Sequence, residues 1–302
     1  MKRSLISLTA FVLMFIMCLA LASPALAAGA APVAENLEIK TYRNVSVGGT
    51  MSAYDPDGDV VCYEITTQPV KGSIVQGENG SFTYTPDENK KGKDYFGYKA
   101  VDAEGNRSQE ATVIIRIEKQ KKGICYGDMS GRAEEYAAVE LSEQGIFTGE
   151  QLGGEYCFSP DKSVSRGEFL SMCMLISGEP VISGVMSTGY ADEDDMPYWM
   201  KQYVATAVMR GIRPAASAAS NAFGSGSPIS RSEALVMLNK ALGLRDISYA
   251  ELDETMEPEV AQACANLSSI GIDSGHMSVS EQLTRSEAAL LLVKAMETVN
   301  GR

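Results

Sequence analysis

Histidine, cysteine and tryptophan are scarce in this chain of 302 residues, and their scarcity excludes several kinds of site. The one histidine is His276, and no Cys-x-x-Cys pair occurs. The sequence therefore lacks the histidines for a histidine-based zinc site and offers a single histidine for a Ser-His-Asp triad. The sequence predicts no catalytic residues and no zinc centre.

Cysteine is too sparse for a disulfide framework. Five cysteines follow the apolar N-terminal segment, and their number is odd and their spacing wide. Cys125 and Cys157 are the one pair to test as a bridge. Cys62, Cys173 and Cys264 lie in apolar strand or helix patterns, which predicts small core residues.

Positive charge is also in short supply, since 26 Lys and Arg against 39 Asp and Glu give a net charge of −13. This balance argues against nucleic acid as a partner, because phosphate contacts need a basic surface. Acidity alone identifies no partner. Local basic residues can still bind anions.

Long apolar runs are limited to the N-terminus. A run over 5–21 follows Lys2 and Arg3 and precedes Ala25-Leu26-Ala27, the order of a secretory signal peptide over residues 1–27. No other stretch is apolar for the roughly 18 residues that a membrane span needs. We therefore expect an exported chain that does not span the membrane after cleavage.

Residues 32–118 alternate in the manner of strands. Turn clusters such as Asp55-Pro56-Asp57-Gly58-Asp59 separate the β-branched and aromatic runs, which predicts an all-β sandwich. The runs are Val60–Ile65, Ser81–Thr85 and Thr112–Ile117. A polar linker at 119–123 follows, and after it the periodicity becomes helical.

Residues 124–300 repeat one layout three times, over 124–180, 187–245 and 247–300. Each copy starts near an aspartate, continues with an amphipathic helix that ends at Gly-Ile, and opens a second helix with a Ser/Thr-Arg-x-Glu motif. The aspartates are Asp128, Asp192 and Asp253; the Gly-Ile pairs begin at Gly145, Gly211 and Gly271; the motifs begin at Ser165, Ser230 and Thr284.

The repeated motif contains a capping box, in which a hydroxyl accepts from the N3 amide and a glutamate reaches back to the N-cap amide. This predicts capping by three pairs: Ser165 with Glu168, Ser230 with Glu233, and Thr284 with Glu287. Capping does not need the arginines Arg166, Arg231 and Arg285, which stand where the helix dipole disfavours a cation. The residues alone leave two partners open: the aspartate of the repeat or an anionic ligand.

The layout resembles S-layer homology repeats, whose hallmarks include the aromatic-x-Asp start, the Phe-x-Pro loop and the Thr-Arg-Ala-Glu helix start. The resemblance rests on Phe158-Ser159-Pro160, on Phe223, and on the segments 164–168, 229–233 and 283–287. It implies an all-α pseudo-threefold module whose inter-repeat grooves bind pyruvylated secondary cell-wall polysaccharide or another peptidoglycan-linked glycan. In that picture the three arginines hold the ligand carboxylate, and the three aspartates line or order the grooves.

The chain departs from that pattern in places. Only the second copy has a tryptophan in its first helix, Trp199. Trp199 is a candidate polysaccharide-binding residue, although a helical Trp is more often a core residue than a sugar platform. The second loop, 214–227, is rich in Ala, Ser and Gly, and the third, 273–280, is short and lacks Phe-x-Pro. We therefore expect one or two grooves to be inactive.

The N-terminal stretch resembles bacterial cadherin-like or Ig-like domains in its Asp-Pro-Asp-Gly-Asp turn and in segments 80–86, 94–98 and 102–105. The aspartates Asp55, Asp57 and Asp59 are candidate calcium ligands, but an EF-hand is excluded because Thr66 stands where the bidentate glutamate belongs. A tight Pro-Asp-Gly turn is the simpler interpretation. No cofactor is predicted beyond this candidate.

Together these patterns predict a secreted, S-layer-associated protein, held on the cell wall by its repeats and displaying a spacer or adhesive sandwich. The sandwich could bind an external partner. A wall-targeted enzyme of glycan remodelling is the other alternative, but 28–120 is short and strand-like for a catalytic domain. Carboxylates at 192–195 could imitate a glycosidase pair, although an acidic run before a helix favours the dipole.

Overall fold

The computed structural model describes residues 29–185, 187–212, 221–247, 256–272 and 281–300. The signal-peptide segment, Asp253, His276 and the short third loop at 273–280 lie outside these residues. Within them, an N-terminal β-sandwich over 33–118 is followed by a helical region with six α-helices, as the sequence predicts.

The sandwich has two sheets, one of four strands in the order β2-β9-β8-β5 and one of three in the order β3-β7-β6. β2 and β9 are parallel, the other neighbours in these sheets are antiparallel, and β1 pairs with β4. The strands are β1 (Val33–Ala34), β2 (Leu37–Tyr42), β3 (Val47–Thr50), β4 (Ala53–Tyr54), β5 (Val60–Thr67), β6 (Gly72–Gln76), β7 (Ser81–Pro86), β8 (Gly92–Asp102) and β9 (Ala111–Glu118).

Alternating side chains build the sandwich core. In β9 every second residue is buried, beginning at Ala111, and β7 buries Phe82 and Tyr84 in the same way. Phe82 and Phe96 meet edge to face with ring centroids 5.1 Å apart. The three predicted strand runs coincide with β5, β7 and β9.

The helical region contains three pairs of helices. They are α1 (Glu135–Glu143), α2 (Arg166–Ile176), α3 (Tyr198–Met209), α4 (Arg231–Ala241), α5 (Pro258–Ser269) and α6 (Arg285–Asn300). A hairpin of β10 (Glu150–Leu152) and β11 (Glu155–Cys157) stands between α1 and α2. The sequence patterns did not predict this hairpin, because each strand has only three residues.

The first helix of each repeat ends as its Gly-Ile pair predicts. Gly145, Gly211 and Gly271 all have φ between 74° and 78°, a left-handed conformation that glycine adopts without a Cβ penalty. The isoleucine amide that follows then bonds back to a carbonyl five residues earlier, at 2.9 to 3.0 Å in the three copies. The helix therefore stops at one defined point in every repeat.

The three repeats close into a ring at their second helices. The amide of Val164 donates to the carbonyl of Leu283 (2.9 Å), Leu283 donates to Ile229 (3.0 Å), and Ile229 donates back to Val164 (3.1 Å). All three side chains are buried. Each repeat thus gives one bond to a neighbour and receives one from the other, which is a pseudo-threefold arrangement.

Helices also pair across the repeat boundaries. The first helix of a repeat packs against the second helix of the preceding one, so α3 contacts α2, α5 contacts α4, and α1 contacts α6. The last pair joins the end of the chain to its first repeat. The outcome is three equivalent junctions between repeats, here called junction 1/2, junction 2/3 and junction 3/1.

Backbone hydrogen bonds fix the sandwich to the first repeat. They join residues that lie before the predicted linker 119–123 to residues that lie after it. The amide of Gly48 in β3 donates to the carbonyl of Ala133 (2.8 Å), and the amide of Tyr136 donates to the carbonyl of Ser46 (3.0 Å). The segment itself is tied down, since the amides of Lys121 and Lys122 both donate to the Glu143 carboxylate at 2.8 Å.

The cysteines correct one expectation and answer one open question. Cys62 is exposed and not a core residue, although it lies in β5, and Cys125 and Cys157 are both free thiols. Cys173 is buried in α2 as predicted, and burial raises the pKa of its thiol. Cys264 is partly buried against the core.

Candidate functional site

The capping boxes position the three arginines at the ends of α2, α4 and α6. Ser165 and Ser230 each accept from the N3 amide while Glu168 and Glu233 accept from the N-cap amide. Thr284 and Glu287 make the same two contacts, at 3.4 and 2.9 Å. Arg166, Arg231 and Arg285 therefore begin three equivalent helices.

Each arginine reaches the capping glutamate of the next repeat. Arg166 donates to Glu233 at 2.7 Å, Arg231 forms an ion pair with Glu287, and the guanidinium of Arg285 lies 3.8 Å from Glu168. This cycle of pairs runs once around the pseudo-threefold axis. Among the described residues the charged partners in this cycle are glutamates, and Asp128 and Asp192 instead accept from backbone amides.

Loop carbonyls of the next repeat supply a second partner. Arg166 donates to the carbonyl of Phe223 at 2.7 Å, and Arg285 donates to that of Phe158 at 3.1 Å and also to Glu150 at 2.8 Å. The side chains of Arg231 and Arg285 are 10% and 4% exposed, whereas those of their partners Glu287 and Glu150 are 34% and 39% exposed. Removal of a buried partner from such a pair is destabilising, because the remaining groups lose a donor that solvent does not readily replace.

Asp128 and Asp192 hold the loops that contain the carbonyls to which Arg285 and Arg166 donate. Asp128 accepts from the amides of Phe158 (3.1 Å) and Ser159 (2.7 Å), and Asp192 accepts from those of Phe223 and Gly224, both at 2.7 Å. Each of the two carboxylates thereby accepts one backbone hydrogen bond at each oxygen, from donors of its own repeat. They order the loops, which is one of the two roles that the family resemblance implied.

An open groove lies at junction 1/2. Its volume is 560 Å³, and its walls come from the start of α2 on one side and from the second repeat on the other. The second repeat contributes Trp199, which is 49% exposed, together with Asp195 and the backbone of 224–227. The interpretation of Trp199 as a core residue is wrong, because the helix turns it outward at the rim of this groove.

The groove has a mixed polar and apolar lining, with one large aromatic wall. Trp199 stands edge-on to Tyr203, with ring centroids 6.3 Å apart, which leaves the tryptophan held in place. Ser165, Glu168, Asp192 and Asp195 are its hydroxyl and carboxylate lining. Such a pattern of one aromatic surface with hydroxyl and carboxylate neighbours suits a flat, polyhydroxylated ligand.

The acidic run at 192–195 forms a turn before α3. Glu193–Asp195 forms a single 3-10 turn before α3. Glu193 accepts from the Thr188 amide at 2.7 Å, and this bond together with the Ser187 hydroxyl holds the pKa of its carboxyl below the ordinary range. Asp192 accepts from the amides of the loop, whereas Asp195 lines the groove.

A second cluster of carboxylates lies in the sandwich. Ligand atoms of Asp55, Asp59 and Asp102 all lie within 4.8 Å of one another. Of the calcium candidates proposed from the sequence, Asp57 points elsewhere and accepts from the amide of Ala30 at 2.7 Å. The oxygens of this cluster are of the kind that Ca²⁺ takes, but three carboxylates are a partial set, since calcium requires six to eight oxygens.

Neighbouring groups already use part of this cluster. Asp102 accepts from the amide and the side chain of Asn106 at 2.7 and 2.8 Å. Glu104 shares a hydrogen bond with Asp59, and this contact between two carboxyl groups raises the pKa of Glu104. Asp102 lies 43 residues or more beyond the other two, so the sequence pattern of the turn could not include it.

The comparison with known families bears on the N-terminal β-sandwich. Residues 29–119 match the family described as the bacterial cadherin-like domain. Residues 29–119 are a bacterial cadherin-like domain. The helical region has no S-layer homology family match, and no curated protein matches the chain.

Solved structures with weak similarity cover about a third of the chain. An endo-fucoidan hydrolase of glycoside hydrolase family 107 is 21% identical over 31% of this chain and 14% of its own, with a TM-score of 0.25. The SrpA adhesin from Streptococcus sanguinis is 17% identical over 33% of this chain and 62% of its own, with a TM-score of 0.26. Domains 4 and 5 of the S-layer protein SbsC are 9% identical over 30% and 52%, with a TM-score of 0.22. Scores this low carry no argument about function.

No helix within the described ranges is long and apolar enough to cross a membrane.

Proposed function

We propose that this protein is an exported, non-catalytic surface protein whose helical module binds a cell-wall polysaccharide and whose cadherin-like domain is displayed from the wall. The signal-peptide pattern at 1–27 supports export. The single observation that carries the binding proposal is the groove at junction 1/2 with Trp199 at its rim.

The exposure of Trp199 supports this proposal. A tryptophan that is 49% exposed leaves much of a large apolar ring in water, which is unfavourable without a partner. A sugar ring offers an apolar face to the indole and hydroxyl groups to its surroundings. Asp195, Ser165 and the carbonyls of 224–227 surround the indole and can accept hydrogen bonds from those hydroxyls.

The arginines take a supporting part in this proposal. Because Arg166 is bonded to Glu233 and to the Phe223 carbonyl, it fixes the loop that forms the floor of the groove. A wall polysaccharide that carries a pyruvate ketal would have to share Arg166 with Glu233. The groove therefore binds chiefly through Trp199 and the polar lining.

Adhesion by the cadherin-like domain is the second candidate function. The observation in its favour is the family match of residues 29–119, because cadherin-like domains are surface modules. The two functions are compatible, since the groove and the sandwich occupy different parts of the chain. Glycan remodelling has less support, because Glu193 and Asp192 of the acidic run are bonded to turn and loop amides.

Co-sedimentation with purified cell-wall sacculi tests the proposal. The mature protein is mixed with sacculi before and after acid extraction of the secondary polysaccharide, alongside the variants Trp199→Ala and Tyr95→Ala. Tyr95 is a matched control, since it is 56% exposed on the sandwich and far in sequence from the groove. Arginine variants are avoided because the arginines hold the repeats together.

We expect the wild type and Tyr95→Ala to sediment with intact sacculi, and Trp199→Ala to lose at least about tenfold in affinity, equivalent to 1.4 kcal/mol. Extraction of the polysaccharide should abolish binding. Binding that survives extraction would identify peptidoglycan as the ligand. If neither preparation binds, the anchoring proposal is wrong and the cadherin-like domain becomes the sole binding candidate.

A further inference from the structure

Equivalent positions in the three repeats can be aligned by the glycine that ends each first helix. Trp199 stands twelve residues before Gly211, and the residues at the same distance from Gly145 and Gly271 are Ala133 and Glu259. Ala133 therefore occupies at junction 3/1 the place that the groove tryptophan occupies at junction 1/2.

The sandwich lies directly on that place. The amide of Gly48 in β3 donates to the carbonyl of Ala133 at 2.8 Å. A Cβ atom added to Gly48 would come 2.8 Å from the Cβ of Ala133, closer than two carbon atoms can pack. The smallest residue of one domain thus meets a small residue of the other, and a tryptophan at position 133 would have no room.

Three further contacts make the covering specific. The amide of Ser46 donates to the buried Glu135 carboxylate at 2.9 Å, and the amide of Tyr136 donates to the carbonyl of Ser46 at 3.0 Å. Tyr42 donates its hydroxyl to Glu140, a carboxylate that is 3% exposed, at 2.6 Å. Buried polar groups that pair across a boundary fix its geometry, because separating them leaves each unsatisfied.

We propose that the cadherin-like domain is a built-in cap on junction 3/1, which it occupies in place of a ligand. Junctions 1/2 and 2/3 have no such cover among the described residues. The module then binds the wall on the sides away from the sandwich. That last consequence rests on the proposed function, whereas the cap itself does not.

Hydrogen exchange of the full mature chain tests the cap without any ligand. The amides of Gly48 and Tyr136 report on it, because each donates its hydrogen bond to a carbonyl of the other domain. Ala133→Trp fills the place from the helical side. Glu259→Trp is the matched control, since it puts the same side chain at the equivalent position of the third repeat.

We expect slow exchange at Gly48 and Tyr136 in the wild type and in Glu259→Trp, and exchange faster by about tenfold or more in Ala133→Trp. Amides of the β8–β9 ladder should stay protected in all three, which shows that the sandwich remains folded. Unchanged exchange at Gly48 and Tyr136 in Ala133→Trp would overturn the cap.

A second variant covers the case in which Ala133→Trp does not fold. Gly48→Val adds bulk from the sandwich side, and Thr50→Val at the exposed end of the same strand is its control. Gly48→Val should speed exchange at Tyr136, and Thr50→Val should not. Equal exchange in the two variants would contradict the cap.

Adding solubilised wall polysaccharide separates the cap from the proposed function. If both hold, exchange slows around Trp199 and stays unchanged in the segment 131–134. If polysaccharide slows exchange at 131–134 as much as around Trp199, junction 3/1 is open and the cap is wrong. If exchange changes nowhere, glycan binding fails while the ligand-free comparison still decides the cap.

Discussion

Single residues in this protein do two jobs at the repeat boundaries. Glu233 caps its own helix by accepting from the Ser230 amide at 3.0 Å, and it also accepts from Arg166 of the preceding repeat at 2.7 Å. The same carboxylate therefore fixes a helix end and a neighbour. Because the motif occurs three times, the arrangement closes on itself.

Removal of a ring arginine should be costly. In Arg285→Ala, Glu150, Glu168 and the Phe158 carbonyl lose a donor whose side chain is 4% exposed. We expect the free energy of unfolding to fall by about 3 kcal/mol. Arg116→Ala is the control, because Arg116 pairs with Glu38 at the surface, where loss of an ion pair has little effect on stability. Urea unfolding measures both, and equal losses would contradict the ring.

Asp94 should set part of the acid sensitivity of the sandwich. Burial by itself raises the pKa of its carboxyl, but the amides of Val70 and Lys71 and the Tyr84 hydroxyl, at 3.1, 2.8 and 2.8 Å, outweigh burial and lower the pKa. A lowered folded-state pKa stabilises the fold above the unfolded pKa, and this contribution is lost as the pH falls through the folded value.

Asp94→Asn tests this assignment, because it replaces a carboxylate oxygen with an NH₂ group that cannot accept from the surrounding hydrogen-bond donors. We expect a loss of about 2 kcal/mol at neutral pH and a smaller loss near pH 3. Urea unfolding at the two pH values measures it. A loss that is the same at both would show that the Asp94 charge does not matter.

At the scale of helices and strands, the caps and the ends determine the module. Each second helix starts at a capping box and each first helix ends at a left-handed glycine, so one end of each of the six helices is fixed locally. The loops between them, in contrast, are fixed by long-range contacts with Asp128 and Asp192.

Two variants separate the capping role of Glu233 from its contact with Arg166. Ser230→Ala removes the side-chain cap and should lower the free energy of unfolding by about 1 kcal/mol. Glu233→Ala removes the cap and the partner of Arg166, so we expect a loss of about 3 kcal/mol. Chemical denaturation compares the two, and similar losses would show that the contact with Arg166 is energetically neutral.

These elements also show how far the sequence predicts the structure. Capping boxes, Gly-Ile ends and alternating strands are local patterns, and the helix starts, the helix ends and β5, β7 and β9 follow from them. The partners of the arginines and the third carboxylate of the Asp55–Asp59 cluster depend on residues 40 or more positions away. The threefold recurrence of Glu168, Glu233 and Glu287 was the available signal for the arginine partners.

On the scale of the whole molecule, the sandwich and the helical region pack against each other through a defined interface. They are not two separate domains joined only by a flexible linker. Glu135 at this interface is 6% exposed and accepts from the amides of Ser46 and Gly131. Burial raises the pKa of its carboxyl in spite of these hydrogen bonds. The interface therefore contains a carboxyl group whose ionised form is disfavoured by burial.

Stability should depend on the pH through Glu135. A raised folded-state pKa contributes stability that is fully present below the unfolded value of 4.5 and is lost as the pH rises through the folded value. Glu135→Gln keeps an acceptor oxygen and cannot ionise, so its stability relative to the wild type should increase from pH 4 to pH 7. Urea unfolding at both pH values measures this, and a constant difference would contradict it.

The contact of Gly48 with Ala133 has a mechanical consequence. A pull on the displayed sandwich enters the helical module at α1, and α1 packs against α6 at the other end of the chain. The load is therefore shared between the first and the last repeat, which are bonded to each other in the closed ring. In the proposed display from the wall, the short segment 119–123 does not carry the tension alone.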